Sequence, residues 1–246
     1  MPVNSASTVA TFLPLYQQIK SLITEALHQG EWRPGQMIPS EIDLAARFGV
    51  SQGTVRKAID ALAGDNLLVR KQGKGTFVAT HHEPRAAFRF LRIAADDGVP
   101  IETDSSVLGV RRTRAPADVA KLLELRTGEG VVQVSRSLSN KGRPFVFEEI
   151  WLPASRFRGL TLERLADYKG PMYGLFEAEF DTRMIRATER IAAVAAEGAA
   201  ASSLGVSRGT PLLLIDRVSF TYQDRPVEVR RGWYLTRGHH YVNELS

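Results

Sequence analysis

The chain has 246 residues, 43% of them apolar, with a net charge of +5 and no cysteine. That is room for two ordinary domains with real cores, and the missing cysteines exclude disulfides and thiolate metal sites. No apolar run approaches the roughly 20 residues that span a bilayer, and the start MPVNSASTVATF lacks the basic, then apolar, order of a signal peptide, so a cytoplasmic protein is expected.

Met1 to Thr11 are small and polar and read as a loose arm. Order is expected from Pro14, where Leu15, Ile19, Leu22, Ile23, Ala26 and Leu27 form one apolar stripe of a helix that Gly30 ends. Two short amphipathic helices follow. Ser40 can cap the first, with Asp43 reaching back as in a capping box, and Leu44, Ala45 and Phe48 form its buried side. Gly49 stops it and Ser51 caps the next helix after a tight turn, which is helix-turn-helix spacing.

In that second helix Val55, Ala58, Ile59 and Leu62 face inward, leaving Gln52, Gly53, Arg56 and Lys57 outward near its start. Recognition helices read base edges from this end. Arg56 can give two hydrogen bonds to a guanine edge and Gln52 can pair with adenine. Ser51 and Thr54 can hold phosphates, Gly53 lets the backbone come close to DNA, and the capping Ser40 is counted with them as a DNA-binding candidate. Leu67 to Arg70 and Thr76 to Val78 read as strands around the turn Lys71-Gln72-Gly73-Lys74-Gly75, a wing whose lysines suit phosphate or minor-groove contact. From Arg47 to Lys74 six basic residues face two acidic ones, so this segment carries +4 of the chain's +5. A double-stranded DNA partner is expected, and a pI of about 9.6 agrees with it.

The motifs PLYQQIK, PGQMIPSE, LAARFGVS, TVRKAIDAL and RKQGKGTFV together resemble the N-terminal domain of the GntR family of bacterial transcription regulators. The resemblance implies a winged helix-turn-helix over 12–79. Ile42 and Gln52 stand where common members carry arginines, which leaves more of the reading to Arg56 and the wing.

Polar, proline-containing HHEPR places a linker at 80–87, and a second domain is expected over 88–246, opening with the strand-like FRFLR at 88–92. Its sequence repeats itself weakly. Ala120, Leu123, Leu125, Gly128 and Arg136 recur as Ala201, Leu204, Val206, Gly209 and Arg217; after one inserted residue Arg143-Pro144 matches Arg225-Pro226 and Trp151 matches Trp233. Each copy reads as a helix, a glycine turn, an apolar strand, a polar turn and a returning strand, so that two copies sharing one antiparallel sheet would leave a cleft. Between them lie a helix candidate from Met172 to Phe180 and a strand candidate from Thr182 to Ala192.

VSRSLSNKGRPFVFEEIWLP, GPMYGLFEAEF, GTPLLLIDRVSF and RPVEVRRGWYL resemble the effector domain (UTRA) of the HutC branch of the same family, similar in fold to chorismate lyase. The resemblance implies an α+β protein: a winged helix-turn-helix followed by an antiparallel-sheet α+β domain that binds an effector and supports a homodimer on a palindromic operator, most often as a repressor. Arg136, Glu148, Tyr173, Glu228 and Tyr234 stand at matching pocket positions, with Arg230 close by. An arginine at an apolar cleft suits an anionic metabolite. Arg136 and Glu148 on adjacent strands can also simply pair with each other, and Tyr173 can be core. In phosphosugar-responsive members a second arginine and a serine hold the phosphate; those places here are Leu138 and Pro171, which disfavours a phosphosugar. Neither histidine pair, His81-His82 or His239-His240, makes a metal site, since neighbours on a strand face opposite ways. No catalytic constellation stands out and no cofactor is expected, which leaves a chorismate-lyase-like enzyme and an architectural DNA-binding protein as the alternatives.

Overall fold

The computed structural model describes residues 13–82, 92–126 and 128–243. The expected N-terminal arm, the linker from 83 and the strand expected at 88–91 lie outside the described residues. The chain forms two compact units, Met1–Thr80 and His81–Ser246. No helix among the described residues is long and apolar enough to cross a membrane.

The first unit is a winged helix-turn-helix: α1 (Leu15–His28), α2 (Glu41–Phe48), α3 (Gln52–Gly64), β1 (Leu68–Lys71) and β2 (Gly75–Val78). The local signals that define it are all realised. Ser40 accepts from Asp43 N while the Asp43 carboxylate takes the Ser40 N–H, Gly49 ends α2 at φ 64°, and Ser51 accepts from Thr54 N. Ile19, Ile23, Ala26 and Leu27 of α1 join Leu44, Val55, Ala58, Ile59 and Leu62 in the core. Leu15 and Leu22, expected in the α1 stripe, are exposed, because α1 packs chiefly on α3 through its 19/23/26 edge. The wing pairs Leu68 with Val78 and Lys71 with Gly75, one residue later than expected at β1, and Met37 adds a bridge to Phe77.

The second unit carries β3 (Ile93–Ala95), β4 (Thr103–Arg114), α4 (Ala117–Leu122), β5 (Gly130–Asn140), β6 (Arg143–Pro153), α5 (Leu162–Asp167), α6 (Met172–Phe180), β7 (Arg186–Ala195), α7 (Gly198–Leu204), β8 (Pro211–Phe220), β9 (Pro226–Tyr234) and β10 (His239–Tyr241). Six strands form one antiparallel sheet in the order β4-β5-β6-β9-β8-β7, while β3 pairs with β10. The repeat seen in sequence is the symmetry of this sheet. Each half is strand, helix and hairpin, and the halves meet where β6 pairs β9; Thr113 pairs Val131 in one as Val194 pairs Leu212 in the other.

Alternation decides the two faces of the sheet. Val131, Trp151 and Val229 pack on α4, and Phe147 and Leu212 on α7. Val132, Val134, Ile150 and Leu152 face the other way, onto Tyr173, Leu175, Phe176 and Phe180 of α6. Asp181 ends α6 at φ 44°, and the following strand begins at Arg186 rather than Thr182, because Thr182 N–H still bonds back to Phe176 and Met184 is buried in the α6 cluster. β4 was not anticipated: it is an edge strand, mostly exposed, with a bulge between Val107 and Gly109 that breaks its alternation.

Candidate nucleic-acid interface and ligand cavity

On the first unit, Gln52, Gly53, Arg56 and Lys57 share the exposed opening of α3. Arg56 donates through Nε to Glu41 Oε2 at 2.9 Å, and its two terminal nitrogens bond to no described residue. Ser40 is spent on the α2 cap, and Ser51 and Thr54 on each other at 2.9 Å between hydroxyls. A side chain at Gly53 would meet only Ser51 Oγ, at 3.9 Å, so this surface is open to close approach. In the wing Gly73 takes φ 69°, Lys71 lies 4.8 Å over the Phe77 ring, and Gln72 and Lys74 are exposed. The sequence charge count is tempered: Arg47 pairs with Glu31, and Arg56 and Arg70 with Glu41, two acids outside the counted segment.

Lys57 and Lys74 are exposed and form no ion pair among the described residues, so they are suited to phosphates, while Arg56 is suited to a base. Arg56→Ala should cost roughly 1–3 kcal/mol on the preferred duplex and much less on random DNA, whereas Lys74→Ala should weaken both alike and flatten the salt dependence. Titrations of both duplexes at several salt concentrations check this, and equal losses for Arg56→Ala would remove it from base reading.

On the second unit, a cavity of about 840 Å³ opens over the sheet face that also carries α6. Five of the six expected residues line it: Arg136, Glu148, Tyr173, Arg230 and Tyr234. Glu228 does not line it. Fully buried behind the wall, it accepts from Tyr173 Oη at 2.7 Å, Ser219 Oγ at 3.1 Å, and Arg230 through Nε at 3.1 Å and Nη2 at 2.9 Å.

Strand register builds the floor. Arg136 lies directly opposite Glu148, and its Nε donates at 2.5 Å. Arg217 lies opposite Arg230, a like-charge pairing that is unfavourable alone. It is offset because Arg230 reaches both Glu148, at 3.1 Å, and Glu228, while Arg217 takes Glu189 at 2.6 Å. Burial pushes the Glu148 carboxyl up, but Arg136, Arg230 and Arg217 outweigh it and hold the pKa at about 2. Tyr173 and Tyr234 are pushed above the usual phenol range, first by burial, so both stay neutral donors. The pairing anticipated between Arg136 and Glu148 and the core packing anticipated for Tyr173 are both present, and both residues still face the cavity.

The ligand-facing capacity is localised. Arg136 uses only Nε, leaving both terminal nitrogens without a partner among the described residues, and the Tyr234 hydroxyl is likewise unbonded. The Tyr234 ring has its place because position 232 is glycine: a Cβ there would stand 2.5 Å from its ring. Leu138, Pro171, Met172 and Leu175 supply apolar wall. Sequence reasoning missed Arg217, although it is the repeat partner of Arg136, and missed β4, whose Thr103 to Val107 close one side.

His81 and His82, expected in the linker, belong to this unit. His81 is buried, 5.4 Å from the Tyr173 ring and 3.0 Å from Met184 O through Nε2; His82 Nδ1 lies 3.3 Å from Tyr168 Oη. Tyr168 and Tyr173 both line the cavity.

The comparisons place each half of the chain in a known domain family. Residues 15–78 match the bacterial regulatory proteins, gntR family, and residues 90–240 match the UTRA domain. A Shigella flexneri protein named "Probable fructoselysine utilization operon transcriptional repressor" is 30% identical over 218 residues, 87% of this chain and 88% of that one. The histidine utilization repressor of Klebsiella aerogenes is 46% identical over 83 residues, 34% of each chain. Among solved structures, the ligand-binding domain of a chain assigned to the GntR family from Bordetella bronchiseptica is 53% identical, with a TM-score of 0.63, covering 64% of this chain and 98% of that one. A reading head with the gntR signature joined to a UTRA cavity domain makes this chain a member of the GntR family of bacterial transcription regulators, in its HutC branch.

Proposed function

We propose that this regulator binds a palindromic operator as a homodimer through α3 and the wing, represses, and is modulated by a small carboxylate in the second-unit cavity. The observation that carries the ligand class is the Arg136 fork beside the unbonded Tyr234 hydroxyl. A planar guanidinium end with two free nitrogens matches a carboxylate, and the tyrosine can serve a hydroxyl or carbonyl next to it. Leu138 and Pro171, in place of a second arginine and a serine, support a carboxylate over a sugar phosphate.

Symmetric pairing would present two copies of α3 to half-sites related by the same two-fold axis. The ligand then acts by favouring the arrangement of the pair that does or does not fit that spacing. Contacts from His81 and His82 to cavity-lining tyrosines support such coupling, because these are the first residues of the second unit after Thr80. The floor suits holding more than catalysing: Glu148, held at about 2, stays ionised and the phenols stay neutral, so these groups are not poised to exchange protons near neutral pH.

A thermal-shift panel of small carboxylates, amino acids and sugar phosphates tests the ligand class. A ligand that binds the native state at 100 times its Kd stabilises it by about 2.7 kcal/mol. Midpoint rises confined to carboxylates are expected; rises confined to sugar phosphates contradict the reading, and pyruvate release from chorismate would replace it with catalysis.

A further inference from the structure

Three donors of the reading head meet on one carboxylate. Glu41, the first residue of α2, accepts on Oε2 from Arg56 Nε at 2.9 Å and from Gln52 Nε2 at 3.3 Å, both on α3. On Oε1 it accepts from Arg70 Nη2 of β1 at 2.9 Å. Arg70 is also held by Asp60 of α3, at 3.1 Å through Nε and 2.8 Å through Nη2. The Glu41 side chain is 14% exposed, against 58% for Arg56. Burial disfavours its charge, but the bonds from Arg70 and Arg56 prevail and its carboxyl stays below the usual range.

An anion on a DNA-facing surface repels phosphates, so its presence there calls for a compensating role. The contact with Arg56 suggests what that role is. A free arginine spreads over many rotamers and gives up that freedom on ordering. Glu41 takes only Nε, which restrains the guanidinium and leaves the two terminal nitrogens, the pair that matches guanine O6 and N7, without a partner among the described residues. Through Arg70 the same carboxylate ties α3 to the wing.

The geometry points to Glu41 as a positioning residue for base readout, which orients the Arg56 fork and Gln52 and registers the wing arginine Arg70 against the recognition helix. This rests on Arg56 reading a base, and the experiment separates the two claims. Full-length wild-type protein first selects duplexes from a random pool. Affinities are then measured for the selected duplex, its single base-pair variants and a scrambled duplex, using wild type, Glu41→Gln, Glu41→Asp, Arg56→Ala and the Glu41→Gln/Arg56→Ala double variant.

Glu41→Gln should lose about tenfold in discrimination at the base pair that Arg56→Ala identifies, the scale of one bidentate pair. Its affinity for the scrambled duplex should hold or rise, because a negative charge has gone. In the Arg56→Ala background the same change should cost no further discrimination. Glu41→Asp keeps the charge but draws it back by one methylene, and should lose discrimination as well. Unchanged discrimination in Glu41→Gln, full discrimination in Glu41→Asp, or an undiminished further loss in the double variant each overturns the positioning role. Equal losses on selected and scrambled DNA for Arg56→Ala overturn its premise instead.

Discussion

Glu148→Gln should destabilise the second unit by about 3–5 kcal/mol, the usual cost of removing one partner from a buried charge pair. Glu148 is 1% exposed and is shared by Arg136 and Arg230. An amide replaces it poorly: its oxygen can still accept, but its NH₂ would face guanidinium N–H groups and no negative charge remains between Arg136 and Arg230. The pH dependence follows from the same geometry. The carboxyl ionises at about 2 when folded and near 4.5 when free, so its contribution is complete above pH 4.5 and is lost as pH falls toward 2. A shift of that size corresponds to about 3 kcal/mol. Urea unfolding at a series of pH values should show the gap between wild type and Glu148→Gln widest at neutrality and closing below pH 4.5. A gap that stays constant down to pH 3 contradicts this role for the carboxylate.

Arg136→Ala should abolish the response to ligand while costing less stability than Glu148→Gln. It leaves Glu148 with both Arg230 contacts, at 3.1 and 3.2 Å, so the buried anion keeps a partner. It removes the two terminal nitrogens offered to the cavity. Hydrogen bonds to charged groups contribute about 1.5–3 kcal/mol each, so at least tenfold weaker ligand binding is expected by calorimetry. Wild-type affinity in this variant would place the anion elsewhere in the cavity.

The winged helix was legible because its signals are local. Ser40 with Asp43, Gly49, and Ser51 set the ends of α2 and the start of α3 within a few residues of where they act. The sheet was legible through its repeat, and α6 through a largely apolar run of which six of nine residues are buried. What escaped depended on partners distant in sequence. Glu41 governs residues 11, 15 and 29 positions away, so a charge count starting at Arg47 left it out. His81 reads as polar linker until Tyr173 and Met184 are brought to it by the fold. β4 gives no periodic signal because much of it is exposed on both faces. Arg217 was within reach: the repeat aligns it with Arg136, and the two-fold relation of the sheet halves brings both to one cavity.

The link between cavity and DNA is tested most directly by titrating the selected duplex with full-length protein, with and without the carboxylate that most raises the thermal midpoint, in wild type and Arg136→Ala. Coupling free energies between sites are typically about 1–3 kcal/mol, so duplex affinity should change roughly 5- to 150-fold in wild type and hardly at all in Arg136→Ala. Ligand that raises the wild-type midpoint yet leaves its duplex affinity unchanged would contradict an effector-controlled regulator.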